Sequence, residues 1–237
     1  MQRASRIPLC PGCLRAPEPF SAEFFCASCG TPFENAFPLD AEGRCALCRH
    51  GLRGFDAAYC YGPYEGLLRE WIHLYKYGRV KTIAGPLVEL LAAVLPRHER
   101  LDCVVPVPLH WRRRWQRGFN QADLLARGIA RKWHLPVVAA LRRVRHTPTQ
   151  TSLSNAARRK NVTAAFTGRG SVAGLRVLLV DDVLTTGSTA AACAAALRRS
   201  GAARVVLLTA ARADRRLAIP YAATADLHSE ETPNHGK

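Results

Sequence analysis

The chain has 237 residues, is 48% hydrophobic and 22% charged, and so has the length and composition of a globular protein with a buried core. Its 34 Lys and Arg oppose 18 Asp and Glu, a formal net charge of +16, carried almost wholly by arginine. No apolar run is long enough to cross a bilayer, and the start MQRASRIPLCPGC lacks an apolar signal core, so a cytoplasmic protein with no membrane insertion is expected.

Residues 1–54 hold six of the nine cysteines as three C-x-x-C pairs, Cys10/Cys13, Cys26/Cys29 and Cys45/Cys48. The pairs are separated by 12 and 15 residues, and both gaps fit a zinc ribbon. Two such knuckles make a closed site of four thiolates, which leaves no open coordination position and is therefore structural. Buried or redox-active thiols are the alternative, and a reducing compartment disfavours disulfides. Which pairs bind zinc is open. The third pair is either surplus or recruits His50 or Cys60.

Next, GFDAAYCYGPYEG reads as a strand entering a turn at Gly62 and Pro63. LLREWIHLYKY and TIAGPLVELLAAVL have helical apolar spacing, with Pro86 near the start of the second helix. LDCVVPVPLH is a short buried strand ending in prolines. FNQADLLARGIARKW is an amphipathic helix with Asn120 at its N-cap, and LPVVAAL is a second apolar run. Residues 97–160 carry fifteen Lys and Arg against three acids, which points to a surface facing a polyanion such as nucleic acid or a phosphorylated substrate. Trp111 and Trp115 interleave with Arg112, Arg113, Arg114 and Arg117, the pattern of a single-strand platform or of a solvated basic face. GLRVLLVDD is a strongly buried strand, TAAACAAALRRSG a helix stopped by Gly201, and ARVVLLTAA one more strand. This alternation predicts an α/β fold with a parallel sheet covered on both faces.

The stretch VLLVDDVLTTGSTA, which begins at Val177, carries the chemistry. Four apolar residues bury a central strand, and Asp181 and Asp182 stand at its carboxyl end, where ligands of open parallel sheets bind. Thr185, Thr186, Gly187, Ser188 and Thr189 then open a helix whose first N–H groups are unpaired and whose end is partly positive. Hydroxyls and a glycine add an anion cradle for one phosphate monoester. The loop lacks the Gly-Lys-Ser/Thr of a Walker loop and the G-x-G-x-x-G of a dinucleotide site. Too few residues follow the acids for a phospho-receiver domain. Carboxylates beside a phosphate need sugar hydroxyls or a cation, and a sugar phosphate with Mg²⁺ supplies both. His73 and His110 are lone histidines, and Cys193 reads as core.

VLLVDDVLTTGST resembles the phosphoribosyl-pyrophosphate (PRPP) motif of type I phosphoribosyltransferases. The resemblance implies that the catalytic candidates Asp181 and Asp182 contact the ribose hydroxyls and that Thr185, Thr186, Gly187, Ser188 and Thr189 bind the 5′-phosphate. VVPVPLHWRRRWQRGFNQADLLA, YEGLLREWIHLYKYGR and RRVRHTPTQTSLSNAARRKNV further resemble the ComF family, phosphoribosyltransferase-like proteins linked to natural competence. That resemblance implies a zinc ribbon over residues 1–54 and a phosphoribosyltransferase-like domain over 55–220; it does not cover 221–237, whose polar sequence reads as a flexible tail. The resemblance places the pyrophosphate loop at Val107, Pro108, Leu109 and His110, with Arg112, Arg113, Arg114 and Arg117 as candidate neutralising cations. It makes residues 147–160 a lid, with Arg158, Arg159 and Lys160 closing over the phosphates. The expected function is PRPP binding with Mg²⁺, transfer of the phosphoribosyl group to an acceptor, and action in DNA uptake. The alternative is a nucleic-acid-binding competence factor whose PRPP site is regulatory or vestigial. Single-stranded DNA and DNA-uptake or recombination proteins are the implied partners.

Overall fold

The computed structural model describes residues 15–50, 54–109, 115, 117–144 and 165–213. Strands β1 (Phe24–Phe25) and β2 (Pro32–Phe33) pair antiparallel, and the single turn α1 (Ala46–Arg49) follows. Elements this short bury little apolar surface of their own and depend on a staple or a neighbour. The rest runs β3 (Ala57–Pro63), α2 (Gly66–Lys76), a 3-10 turn (Lys81–Ile83), α3 (Ala84–Val94), β4 (Cys103–Pro106), α4 (Gln121–Trp133), β5 (Leu141–Arg143), β6 (Phe166–Gly168), β7 (Arg176–Leu184), α5 (Ser188–Arg199) and β8 (Arg204–Arg212). Among the described residues no helix is long and apolar enough to cross a membrane.

Strands β3, β8, β7 and β4 form one sheet in that order, and every pairing is parallel. Successive side chains of a strand face opposite ways. Val177, Leu179, Val205 and Leu207 therefore pack with Cys193 and Leu197 of α5 on one face. Leu178, Val180, Val206 and Leu208 pack with Leu68 and Ile72 of α2, Leu87 and Leu91 of α3, and Leu125 and Ile129 of α4 on the other. Covering both faces is what lets β7 and β8 be almost continuously apolar.

Helices α3 and α4 touch at Gly128, where an added Cβ would lie 2.3 Å from Val88 Cγ2. Gly201, at φ 88°, follows the C-cap Ser200 of α5, as its sequence position predicts. Three local readings are refined. Strand β3 runs through Gly62 and Pro63 instead of turning there; it is a sheet edge and Pro63 its last residue, so the missing N–H costs no ladder bond. The LPVVAAL run gives only a bridge, with Val104 N–H donating to the Pro136 carbonyl (2.9 Å) and Val138 N–H to the Val104 carbonyl (2.9 Å). Asn120 occupies the N-cap position of α4, but its side chain does not cap the helix.

The cysteine-rich segment packs on the outer edge of β3. Ala58 N–H donates to the Ser28 carbonyl (2.8 Å), Phe20 N–H to the Tyr61 carbonyl (3.0 Å) and Tyr61 O–H to the Pro17 carbonyl (2.6 Å). These bonds cover an edge that would otherwise offer unpaired backbone groups.

Candidate functional site: a four-cysteine centre and an acid-pair cavity

Cys26, Cys29, Cys45 and Cys48 converge, with their sulfurs all within 4.8 Å of one another. Cys29 Sγ and Cys45 Sγ are 3.7 Å apart. Two sulfurs bound tetrahedrally at about 2.3 Å from one ion stand about 3.8 Å apart, so the donor set fits zinc. The N–H groups of Cys29 and Cys45 donate to Cys26 Sγ (3.4 and 3.2 Å), and Thr31 Oγ1 lies 2.8 Å from Cys29 Sγ. Hydrogen bonding from Cys26 and Cys48 pulls the Cys29 thiol down, while Cys48 is pushed up by hydrogen bonds to Cys26 and Cys29, and Cys45 by burial. A divalent ion among the four sulfurs would stabilise them as thiolates. Arg212, 2% exposed at the end of β8, donates to the Cys29 carbonyl at 2.9 Å and ties the knuckle to the central sheet. His50 and Cys60, the alternative ligands, are not in the group. Cys10 and Cys13 lie outside the described residues.

The acid pair sits where the sheet opens. The sequence suggests a strand ending at the acids, but β7 continues to Leu184, pairing Asp181 with Thr209 and Leu184 with Arg212. Its other neighbour stops, because the last pair with β4 is Pro106 opposite Val180. Beyond that register β7 has β8 on one side only, and the space left by β4 becomes a cavity of about 130 Å³. Asp181, Asp182, Val107, Pro108, Leu109 and Thr189 all line it, so both predicted ribose acids, the described pyrophosphate-loop residues and one of the five phosphate-loop residues meet there. A smaller cavity of about 40 Å³ under the loop shares Asp181 and Thr189 and adds Thr185 and Gly187.

The two carboxylates differ. Asp182 is buried and paired with Lys76 Nζ at 2.8 Å. Asp181 is half-buried and accepts the Asp182 N–H at 2.9 Å. Burial first, then the neighbouring Asp182 charge, pushes the Asp181 carboxyl up to about 7, against a weaker opposing pull from Lys76 and Arg117. The loop supplies the cradle geometry. Gly187 is the N-cap of α5 at φ 79°, a left-handed conformation that glycine adopts without a Cβ penalty. No side chain caps that helix. Thr186 Oγ1 is 3.0 Å from Ser188 Oγ, which pairs the two hydroxyls at the exposed start of α5.

Arg117, one of the arginines the sequence offers for pyrophosphate, lines the cavity wall beside Lys76, Asn120, Gln121 and Arg143, which the sequence did not single out for the ligand. Asn120 donates its amide to the Val107 carbonyl at 3.1 Å and fastens the loop after β4 to the start of α4. Arg117 donates to Gln121 Oε1 at 3.2 Å and lies 5.2 Å from the Tyr77 ring centroid. Gln121 is 1% exposed and also lines the wall. Lys76 arrives from α2, more than a hundred residues before the acids, with no motif to announce it. His73 is exposed and stacks on Tyr77 (4.8 Å), and Cys193 is fully buried core. Within the basic stretch, Arg127 pairs with Asp123 and Lys132 with Glu89, so part of the charge is structural. His110, Arg112, Arg158, Arg159 and Lys160, and the tail 221–237, lie outside the described residues.

The phosphoribosyl transferase domain family matches residues 117–230, a span that contains both acids and the cradle loop. Competence protein F of Haemophilus influenzae is 32% identical over 189 residues, covering 76% of this chain and 79% of that protein. The chain belongs to the ComF family. A further relative, DNA utilization protein YhgH of Escherichia coli O157:H7, is 37% identical over 187 residues with the same coverage of both chains. Glutamine PRPP amidotransferase from B. subtilis aligns structurally with a TM-score of 0.39 and 27% identity over 54% of this chain and 26% of its own, so the chain spans about a quarter of that enzyme. This ComF-family protein thus joins a phosphoribosyl transferase domain to a cysteine centre fit for zinc.

Proposed function

We propose that the cavity binds PRPP and that the protein acts in competence and DNA utilization, the roles that the names of its relatives state for them. The observation that carries the reading is the convergence of Asp181, Asp182, the loop after β4 and Thr189 on one 130 Å³ cavity, with Thr185 and Gly187 lining a smaller cavity that shares Asp181 and Thr189. In this reading Thr185, Thr186, Gly187, Ser188 and Thr189 hold the 5′-phosphate, and the acids accept the ribose 2′- and 3′-hydroxyls. Val107, Pro108 and Leu109 face the pyrophosphate, with His110 and Arg112 beside them and Arg158, Arg159 and Lys160 as the lid. Mg²⁺ would be held by ligand oxygens beside the acids and would offset phosphate charge. In transfer, an acceptor nucleophile forms a bond to C1 of the ribose as the C1–O bond to pyrophosphate breaks. The electron pair leaves with pyrophosphate, and the acceptor's proton passes to solvent or base. Fixed donors at both phosphate ends would do most of the catalytic work. Residues 1–54 form the zinc module, 55–220 the phosphoribosyltransferase-like domain and 221–237 the tail.

Calorimetric titration of PRPP with Mg²⁺ tests this. Wild type is expected to bind, and the Asp181→Ala/Asp182→Ala double variant to lose binding; equal binding by both proteins would sink the assignment. A second reading, a nucleic-acid-binding factor for which PRPP is a regulator, is favoured by Trp115 (85% exposed) and Tyr77 (60% exposed) near Arg117. Exposed aromatics beside cations stack single-stranded bases. Single-stranded DNA binding that responds to PRPP, without pyrophosphate release, would favour this reading.

A further inference from the structure

We infer that Lys76 is a binding residue for the diphosphate end of the ligand, held on Asp182 until the ribose hydroxyls displace it. The inference rests on the PRPP reading above and adds a residue from α2, outside the segment 117–230 matched by the transferase family.

The placement of Lys76 is built in. Helix α2 buries Leu68, Trp71, Ile72 and Tyr75, one stripe at helical spacing. Tyr75 is fully buried, its O–H donates to the Gln121 carbonyl at 2.8 Å, and its ring lies 5.4 Å from Phe119. That contact locks the last turn of α2 to the first turn of α4. Lys76, the next residue, is thereby delivered to the cavity wall, where its side chain is 14% exposed and 2.8 Å from Asp182 Oδ1. Arg117 is fastened on the other side by Tyr77 and Gln121. Three cations, Lys76, Arg117 and Arg143 (which lies over the Phe166 ring), thus share a cavity with the loop formed by Val107, Pro108 and Leu109.

The geometry sets up an exchange at one carboxylate oxygen, Asp182 Oδ1. A buried carboxylate needs a partner, and Lys76 supplies it in the free protein. A ribose hydroxyl that donates to Asp182 Oδ1 competes with the ammonium for that oxygen, and the loosened ammonium, still facing the carboxylates of Asp181 and Asp182, gains from a further counter-charge in a confined site. The diphosphate is the part of the ligand that supplies one. A lysine suits the transfer, since its charge is a point on a flexible stem. The exchange also explains how an acid pair and a polyanion can share one cavity without repulsion deciding the outcome.

The test titrates PRPP, pyrophosphate and ribose 5-phosphate, each with Mg²⁺, into wild type, Lys76→Met and Asp182→Asn, with thermal melting as a folding control. Lys76→Met is expected to weaken PRPP and pyrophosphate about 10- to 100-fold, the loss of one charge-assisted contact, and to leave ribose 5-phosphate within about threefold. In Asp182→Asn the lysine is released in advance, and pyrophosphate is expected to bind severalfold tighter. An equal loss for all three ligands in Lys76→Met would reduce Lys76 to a support for Asp182, and unchanged PRPP binding would remove it from the site. Should Lys76→Met fail to fold, the Asp182→Asn arm decides, since unchanged or weaker pyrophosphate binding there overturns the exchange. Wild type that binds none of the three ligands would instead defeat the PRPP reading itself.

Discussion

Raising the pH from 6 to 8 is expected to tighten PRPP binding about tenfold through Asp181 alone. Burial and the adjacent Asp182 charge hold its carboxyl up to about 7 in the free protein. With that value about a tenth of the molecules carry Asp181 ionised at pH 6 and about nine-tenths at pH 8, and apparent affinity scales with the competent fraction. The ligand's own phosphate also titrates near pH 6, so Asp181→Asn is the reference: its residual slope belongs to the ligand. Calorimetry at pH 6, 7 and 8 in two buffers of different ionisation enthalpy would measure both affinity and proton release, and wild type should release about half a proton more than Asp181→Asn at pH 7. The same carboxyl links pH to stability. Its folded value lies above the ordinary aspartate value of 3.8, so its contribution is fully present below about pH 4 and is lost as pH rises through 7. Asp181→Asn should therefore match wild type at pH 4 and exceed it at pH 8 by up to about 4 kcal/mol, from about three pH units at 1.36 kcal/mol each. Identical pH profiles of binding and of urea midpoint in the two proteins would refute this account of Asp181.

Gly128→Ala puts a Cβ 2.3 Å from Val88 Cγ2 and should cost about 1–3 kcal/mol in urea unfolding, with much of the loss restored by the added change Val88→Ala. Gly187→Ala forces a Cβ into a left-handed N-cap, at a cost of about 1–2 kcal/mol, and should weaken ribose 5-phosphate binding while leaving zinc content unchanged; elemental analysis and calorimetry check both halves. Removing the metal with a chelator, or Cys45→Ser, is expected to lower the melting temperature by more than about 5 °C and to speed amide exchange at Ala58, whose N–H is bonded to Ser28 of the cysteine segment. Loss of metal with an unchanged melting curve would show that the segment does not support the sheet.

What the sequence determined by itself was local in origin. The apolar run into Asp181 and Asp182, the Gly187 turn, the Gly201 stop and the C-x-x-C pairs are each written in adjacent residues, because backbone conformation and side-chain periodicity act over a few positions. The parallel sheet followed from that periodicity, and the family followed from the motif. Other features had to wait for the tertiary structure. Among the described residues the two cysteine pairs separated by 15 residues converge, because β1, β2 and α1 bring them together on the edge of β3. The acids face a cavity because β4 stops opposite Val180 while β7 runs on to Leu184, a matter of register between strands some seventy residues apart. Lys76 reaches Asp182 because Tyr75 docks α2 on α4. No local rule encodes such meetings; they depend on strand order and helix packing, which only the folded chain sets.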